Sequence, residues 1–167
     1  STYAISKLLA KEMNNLITYY KTVNGKTEEI KNYEKECWVN CISPTEEELS
    51  FLISRFKLEP EFVRASLDEE ESSHIDTEND NTLIIIDSPV VNKSGKNLTY
   101  YTTPLSMIIT PECLITISLK ENSILGEFAE GLIKNAYPED RKYFTFQIML
   151  RMAGKYLKYL NQINRIT

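Results

Sequence analysis

The sequence predicts an α/β fold in a single domain, and three observations support this class. Its 167 residues are the usual length of one domain. Short β-branched segments such as Leu83 to Ile86 alternate with segments whose apolar residues recur every three or four positions. The composition, 42% hydrophobic and 26% charged, is that of an ordinary globular domain, which excludes disordered and fibrous chains.

The first predicted elements are a helix, a β-hairpin and a third strand. Residues 4–16 carry apolar residues at helical spacing. Tyr19 to Val23 is the first strand, and residues 26–30 return antiparallel to it. Asn24-Gly25 predicts the two-residue turn between them, because both positions accept a positive φ. Trp38 to Ile42 is the third strand, and we expect Trp38 to be largely buried.

Two helices are predicted next. The first begins within Ser43 to Glu46, where Ser43 can cap, Pro44 suits the first helical position and Glu46 can close a capping box. Its buried stripe is predicted to contain Leu49, Leu52, Ile53 and Phe56. The second helix is short and begins at Glu59-Pro60, and its predicted inward residues are Phe62, Val63 and Leu67.

The second half of the sequence predicts further strands and one helix. Leu83 to Ile86 is short and β-branched, so it is predicted to be a buried central strand. The other predicted elements are a polar turn at 92–97, strands at Leu98–Thr103, Leu105–Thr110 and Cys113–Ser118, and a helix at Ile124–Ile133.

A long helix is predicted from about Asp140 to the last residue. Its apolar residues recur at steps of three and four, which predicts a buried or coiled-coil-like stripe. The stripe consists of Phe144, Ile148, Met152, Tyr156, Tyr159, Ile163 and Ile166. Because no stop signal follows it, we expect the helix to continue beyond Thr167. We therefore divide the chain into a body, residues 1–139, and the start of a long helix, residues 140–167.

The charge is unevenly distributed. The formal net charge is −5, but residues 1–140 carry −11 and residues 141–167 carry +6 with no acidic residue. The net acidity argues against a nucleic-acid partner. No apolar run approaches the length of a transmembrane helix. The odd count of cysteines and the absence of a signal-peptide pattern predict reduced thiols in the cytosol.

Most candidate chemical sites have a simpler explanation. Cys37 and Cys41 lie four residues apart on a predicted strand, which separates them by roughly 13 Å, too far for one zinc ion. His74 is the only histidine, and we expect it to be an exposed polar residue. No phosphate-binding loop or nucleophile–base pattern is present, so an enzymatic function is not expected.

One acidic cluster is a candidate metal site. Asp68, Glu69, Glu70 and Glu71 follow a predicted helix, at whose C-terminus like charges repel each other and oppose the dipole. A divalent cation such as Mg²⁺ would relieve that repulsion. In an extended segment, alternate residues would add a face consisting of Ser72, His74, Asp76, Glu78 and Asp80. The alternative is a solvated acidic surface, the usual fate of a charge run.

The order of these segments resembles the cytoplasmic N-terminal domain of CorA-type magnesium and cobalt transporters. The segments that carry the resemblance are Tyr20–Lys26, Cys37–Asn40, Pro44–Glu48, Leu67–Glu71, Thr82–Asp87, Pro104–Thr110, Leu114–Ser118 and Tyr156–Leu160. The family's Gly-Met-Asn motif and its two membrane helices are absent from these residues. The acidic pair that holds a regulatory cation in some members aligns near Arg64 and Ala65. Asp68 to Glu71 are therefore candidates on physical grounds only.

The resemblance implies an α/β/α sandwich with a mixed parallel and antiparallel sheet, running into a long C-terminal stalk helix. It implies a domain on the cytoplasmic side of the cell membrane that senses Mg²⁺ and gates a homopentameric pore for Mg²⁺ or Co²⁺. No organic cofactor is implied. The carried ion stays open, because zinc-exporting relatives share this soluble fold. By themselves, these residues are expected to form a monomer or a weak oligomer.

A different class of function remains open. The same sequence is compatible with a soluble cytosolic interaction domain that has a coiled-coil-like terminal helix and no role in transport. Two apolar stretches downstream, with Gly-Met-Asn after the first, would distinguish the transporter from this alternative.

Overall fold

Seven strands form one sheet in the computed structural model, which describes residues 17–166, with side chains to residue 165. The helix predicted for residues 4–16 lies outside the described residues. The strands are β1 (Ile17–Val23), β2 (Lys26–Ile30), β3 (Trp38–Ile42), β4 (His74–Glu78), β5 (Asn81–Ser94), β6 (Asn97–Ile109) and β7 (Leu114–Ser118).

The sheet is mixed, as predicted. Its strand order is β2-β1-β3-β7-β6-β5-β4, so β3 and β7 occupy its middle. These two strands pair in parallel, and all the other neighbours pair antiparallel. Trp38 and Leu114 are partners across the parallel pair, and neither side chain is exposed to solvent.

Four helices within residues 17–166 cover the two faces of the sheet. They are α1 (Glu46–Phe56), α2 (Pro60–Ala65), α3 (Ser123–Ala129) and α4 (Arg141–Ile166). One apolar cluster joins α1 and α2 to the face that carries Val39, Leu83 and Ile115. A second cluster joins α3 and α4 to the face that carries Trp38 and Met107. The predicted α/β/α sandwich with a mixed sheet and a long C-terminal helix is therefore confirmed.

The first hairpin is also as predicted. Asn24 and Gly25 both have positive φ, 52° and 80°, as a two-residue turn of this kind requires. The turn sets the register, which places Val23 opposite Lys26 and Tyr19 opposite Ile30.

The N-cap and the capping-box glutamate of α1 each lie two residues later than predicted. Thr45, not Ser43, is the N-cap, and Glu48, not Glu46, closes the capping box with a 2.9 Å bond from the Thr45 N–H to Glu48 Oε1. Ser43 is held elsewhere, because its N–H donates a 2.8 Å hydrogen bond to the carbonyl of Ser118 at the end of β7. This hydrogen bond ties Ser43 to the end of β7, and the helix therefore begins two residues later than predicted.

The strand predicted at Leu83 to Ile86 is longer and less central than expected. It belongs to β5, a 14-residue strand that lies one position from the sheet edge. Likewise β6 is continuous, where two shorter strands had been predicted. Pro89 lies within β5 and Pro104 within β6, and neither pairs with a residue of a third strand. A proline is tolerated where the outer edge of its strand is unpaired.

The helix α3 is shorter than the predicted Ile124–Ile133. Asn122 caps it, its Oδ1 accepting hydrogen bonds from the N–H groups of Ile124 and Leu125 at 2.9 and 3.2 Å. After α3 the chain turns at Gly131, whose φ is +70°. A Cβ there would lie 2.9 Å from the Thr27 carbonyl oxygen, so the close approach of β2 favours glycine.

The predicted stripe of α4 is buried only in part: Ile163 is exposed, and the side chain of Ile166 lies outside the described residues. Phe144, Ile148 and Met152 are buried in the second cluster, so the first turns of α4 belong to the core of the body. Tyr156 and Tyr159 are half-buried against the projecting β5–β6 hairpin. The Tyr156 hydroxyl donates a 2.7 Å hydrogen bond to the carbonyl of Asp87.

Candidate functional site

The acidic cluster lies in a turn between α2 and β4. The helix ends at Ala65 with Ser66 as its C-cap, and the Asp68 N–H donates a 3.3 Å hydrogen bond to the Ala65 carbonyl. The cluster therefore begins at the C-terminus of the helix, as predicted, and continues into the turn. The turn is closed by a 3.1 Å hydrogen bond from the Glu71 N–H to the Asp68 carbonyl. The Asp68 carboxylate also accepts from the Glu70 N–H at 2.9 Å.

The four carboxylates of this cluster face solvent. Asp68, Glu69 and Glu70 are exposed, and Glu71 is half-buried. No lysine or arginine among the described residues lies within ion-pair distance of any of them. Among the described residues, His74 Nδ1 lies 3.5 Å from Glu71 Oε1. The cluster is therefore an uncompensated negative surface.

The acidic surface continues onto β4, which is an edge strand. Asp76 and Glu78 share a face with His74, as predicted, but Ser72 precedes the strand and Asp80 lies in the following turn with φ 67°. His74 is less exposed than expected: its side chain is 33% exposed, and Nδ1 lies 2.7 Å from the Ser72 carbonyl. Three of the five predicted residues therefore form a common face.

Within one chain the cluster does not close around a cation. Among residues 17–166, no three His, Cys, Asp or Glu side chains are grouped closely enough to hold a metal ion. Carboxylate oxygens are the ligands that Mg²⁺ prefers, and it often keeps several waters beside one or two of them. The geometry of one copy therefore offers carboxylates for part of a coordination shell.

The three cysteines are free, buried thiols, as predicted. Burial raises the pKa of Cys41 to about 12 and that of Cys113 to about 11. Burial also raises the pKa of Cys37. A raised pKa favours the neutral thiol, whereas a nucleophile needs the thiolate.

The basic residues of α4 are divided between its two ends, and Arg141 and Lys142 lie beside Thr77 and Asp80 at the start of β5. Lys93, Lys155, Lys158 and Arg165 line a shallow groove between α4 and the β5–β6 hairpin. The floor of the groove includes Tyr100 and Tyr159, whose ring centroids are 5.6 Å apart. The Tyr100 hydroxyl donates to Gln162 Oε1 at 3.2 Å.

A second apolar stripe on α4, which we call the outer stripe, was not predicted. It faces away from the sheet and consists of Tyr143, Phe146, Leu150, Ala153, Leu157 and Leu160, all of them exposed. Its signal was present in the sequence, because the steps alternate regularly between three and four. It was overlooked because the core stripe of the same helix has similar spacing.

The comparisons with known proteins decide the family. A family model described as "CorA-like Mg2+ transporter protein" matches residues 33–167. This chain belongs to the CorA-like family. A search of the curated proteins finds no match.

Solved structures of CorA-type proteins share the fold. Against the complete CorA magnesium transporter from Methanocaldococcus jannaschii, the TM-score is 0.64 at 17% identity, covering 88% of this chain and 48% of that one. Against the soluble domain of the same protein it is 0.63 at 22% identity, covering 87% and 60%. The ZntB cytoplasmic domain from Vibrio parahaemolyticus gives 0.66 at 13% identity, covering 89% and 62%.

The CorA-like chain therefore spans about half to three fifths of the length of these structures. In the part that the structure describes, none of the helices has the length and apolar character needed to cross a bilayer. The resemblance inferred from the sequence is confirmed, and it extends to the sheet and to the helices on both its faces.

Proposed function

We propose that this chain is the cytoplasmic regulatory domain of a divalent cation transporter, carrying Mg²⁺ with Co²⁺ as a second ion. The observation that supports this proposal most directly is the family match over residues 33–167. A transporter that responds to its own ion needs a site whose occupancy follows the intracellular concentration. The uncompensated acidic cluster is the surface of this chain that suits such a site.

In the proposed site, Asp68, Glu69, Glu70 and Glu71 contribute to a cation shared between neighbouring copies. At high Mg²⁺, bound ions neutralise the facing acidic surfaces and favour a closed ring of subunits. At low Mg²⁺, the carboxylates repel and the ring loosens. A ligand shifts such an equilibrium only by its differential affinity for the two states. The shared site supplies that difference, because only the closed ring brings both sets of carboxylates together.

The distribution of charge also supports association of copies into a ring, the homopentamer that we propose. The acidic cluster precedes His74, which pairs with Ile85 of β5, whereas Lys158 and Arg165 line the groove beside Lys93 near the end of that strand. Among the described residues, the two surfaces form no ion pair with each other. They can neutralise each other between copies, and a head-to-tail contact of this kind generates closed rings when its rotation closes.

The test is thermal stabilisation of the isolated chain by MgCl₂, compared with NaCl at equal ionic strength. One copy offers only part of the site, so we expect weak binding, on the order of 1 mM. The quadruple variant Asp68→Asn, Glu69→Gln, Glu70→Gln, Glu71→Gln should lose the stabilisation that is specific to Mg²⁺.

A matched control neutralises four exposed carboxylates outside the cluster. These are Glu28, Glu29, Glu121 and Glu130, each replaced by Gln. The control should respond to Mg²⁺ as the parent chain does. If the quadruple variant and the parent respond identically, the cluster is a solvated face and the regulatory site lies elsewhere.

A further inference from the structure

A cavity of about 520 Å³ lies beside the helix α3, where β3 ends. It is lined by Asn40 and Ile42 of β3 and by Leu125 and Ala129 of α3, among others. Its volume is in the range of small-molecule sites and far exceeds the space that a single water molecule needs. The cavity is separate from the acidic cluster, because none of the four residues of that cluster lines it.

The topology of the sheet favours a ligand at this position. The strands β3 and β7 are parallel neighbours, and Ile42 at the end of β3 lies opposite Ser118 at the end of β7. The chain leaves β3 for α1 on one face of the sheet and leaves β7 for α3 on the other face. In α/β sheets, ligands bind beside the carboxyl ends of parallel strands whose following connections diverge in this way.

Asn40 presents unused hydrogen-bond donors to the cavity. Its side chain is only 5% exposed, and it lines the cavity. Its Oδ1 accepts a 2.9 Å hydrogen bond from the Thr116 hydroxyl, whereas its Nδ2 has no acceptor among the described residues. A buried polar group without a partner is destabilising. The Nδ2 group is therefore suited to donate to an oxygen atom of a bound molecule.

The charge of the lining indicates a second group that the ligand carries. The described residues that line the cavity include three glutamates, Glu121, Glu127 and Glu130, and no lysine, arginine or histidine. Glu127 is paired with Arg151 at 3.0 Å. Glu121 and Glu130 are exposed and have no ion-pair partner among the described residues. Their carboxylates favour a positively charged group at the solvent side of the cavity.

An organic cation fits these groups better than a metal ion. Among residues 17–166, no three acidic, histidine or cysteine side chains are close enough to hold a metal ion. The Nδ2 group of Asn40 is a donor only, so it cannot coordinate one. The side chains of Ile42, Leu125 and Ala129 are apolar and suit a carbon skeleton.

We propose that this cavity binds a small organic ammonium ion that carries an oxygen acceptor. The oxygen atom accepts a hydrogen bond from Asn40 Nδ2, and the ammonium group is bound by Glu121 and Glu130. The carbon skeleton of the ligand packs against Ile42 and Leu125. The proposal is independent of cation sensing at the acidic cluster.

The test is an NMR titration of the whole isotope-labelled chain with leucinamide at about pH 6.5, where its amino group is protonated. Leucinamide carries an ammonium group, a carbonyl oxygen and an apolar side chain. Isoamylamine is the same molecule without the carboxamide, and isocaproamide is the same molecule without the amino group. We expect leucinamide to bind at least about tenfold more tightly than either of them. The side-chain NH₂ signals of Asn40 should shift with leucinamide and not with isoamylamine.

A matched pair of glycine variants locates the site. Gly126 lines the cavity, and a Cβ at this position would meet no atom within 4 Å, so Gly126→Leu places a side chain in the open space. This variant should weaken leucinamide binding at least about tenfold without lowering the melting temperature, because leucine favours a helix more than glycine does. Gly154→Leu in α4, where a Cβ also meets no atom within 4 Å, is the control and should bind as the parent does.

A second pair of variants tests the role of charge. Glu121→Gln with Glu130→Gln should weaken leucinamide binding at least about tenfold and leave binding of the uncharged isocaproamide unchanged. The control is Glu69→Gln with Glu70→Gln, which neutralises two exposed carboxylates of the acidic cluster and should bind leucinamide as the parent does. This control also keeps the two proposed sites distinguishable, because either can fail without the other.

Four outcomes would overturn the proposal. Leucinamide leaves the Asn40 signals unchanged, which means that the Nδ2 donors are satisfied by water alone. The three compounds bind equally, so the cavity recognises only apolar surface. Gly126→Leu binds leucinamide as the parent does, which places the ligand elsewhere. Finally, MgCl₂ displaces leucinamide and NaCl at equal ionic strength does not, which makes the occupant a metal ion.

Discussion

The indole nitrogen of Trp38 donates a 2.8 Å hydrogen bond to the hydroxyl of Thr116 across the parallel pair at the middle of the sheet. The same hydroxyl donates to Asn40 Oδ1 at 2.9 Å. Neither Trp38 nor Thr116 is exposed, so the threonine satisfies two buried polar groups at once. The Trp38 ring also contacts Phe144, with centroids 5.3 Å apart, and so connects the sheet to the first turns of α4.

The first prediction follows from this arrangement. Thr116→Val keeps the shape of the side chain but leaves the Trp38 N–H without its acceptor and Asn40 without its donor. We expect the free energy of unfolding to fall by about 1–3 kcal/mol, measured by urea titration. Thr99→Val, at an exposed position of β6, is the control and should change it by less than about 0.5 kcal/mol. Equal effects of the two variants would contradict the prediction.

The second prediction concerns the volume of the Trp38 ring. Trp38→Ala should lower the free energy of unfolding by about 3–5 kcal/mol, because the ring is completely buried between Tyr20 and Phe144. That loss is enough to unfold a marginally stable domain. Differential scanning calorimetry would show it, with Phe51→Ala at an exposed position of α1 as the comparison. A melting temperature that barely moves would exclude this packing.

The third prediction concerns alkaline pH. Burial raises the pKa of Cys41 to about 12 and of Cys113 to about 11, above the ordinary value of 9.0. These thiols favour the folded state fully below pH 9, and that contribution is lost as the pH rises toward the folded pKa values. The free energy of unfolding should fall from about pH 9, by up to about 1.4 kcal/mol per pH unit for each thiol. Between pH 9 and 10, the free energy of unfolding of the Cys41→Ala variant should fall less than that of the parent chain, even though the variant is less stable at pH 7.

The fourth prediction concerns the β5–β6 hairpin. Tyr156→Phe removes the hydroxyl that donates to the Asp87 carbonyl, at a cost of about 0.5–1.5 kcal/mol. Hydrogen exchange should accelerate at the hairpin amides of residues 88–103, with no change in β3 and β7. Tyr137→Phe, whose hydroxyl makes only an exposed 3.4 Å contact with Asn135, serves as the control. Unchanged exchange in the hairpin would show that α4 does not hold it in place.

Much of the fold could be predicted because local chemistry determines it. Asn24-Gly25 specifies its turn by backbone conformation alone, and the core stripe of α4 follows from helical periodicity. The start of α1 could not be predicted, because a hydrogen bond from Ser43 to the distant Ser118 decides it. The length of β5 was not predicted. Pro89 is tolerated within this strand because it pairs with β6 on one side only, and the pairing of β5 with β4 ends at Ile85.

The candidate site was predicted in part. The four adjacent carboxylates are evident in the sequence, and their exposure agrees with the usual placement of a charge run. Their position after the end of α2 also agrees with the prediction. The outer stripe of α4 was missed because two apolar stripes at similar spacing overlap in one sequence. Only packing against the sheet distinguishes the buried stripe from the exposed one.

The β5 strand connects two regions of the surface. It is roughly 45 Å long, with the acidic β4 paired along its first residues and with the Asp87 carbonyl bound to Tyr156 of α4. Leu83 and Ile85 of the same strand are buried in the core between these two regions. A displacement of β5 at the acidic edge of the sheet would therefore involve the core as well as the contact with α4.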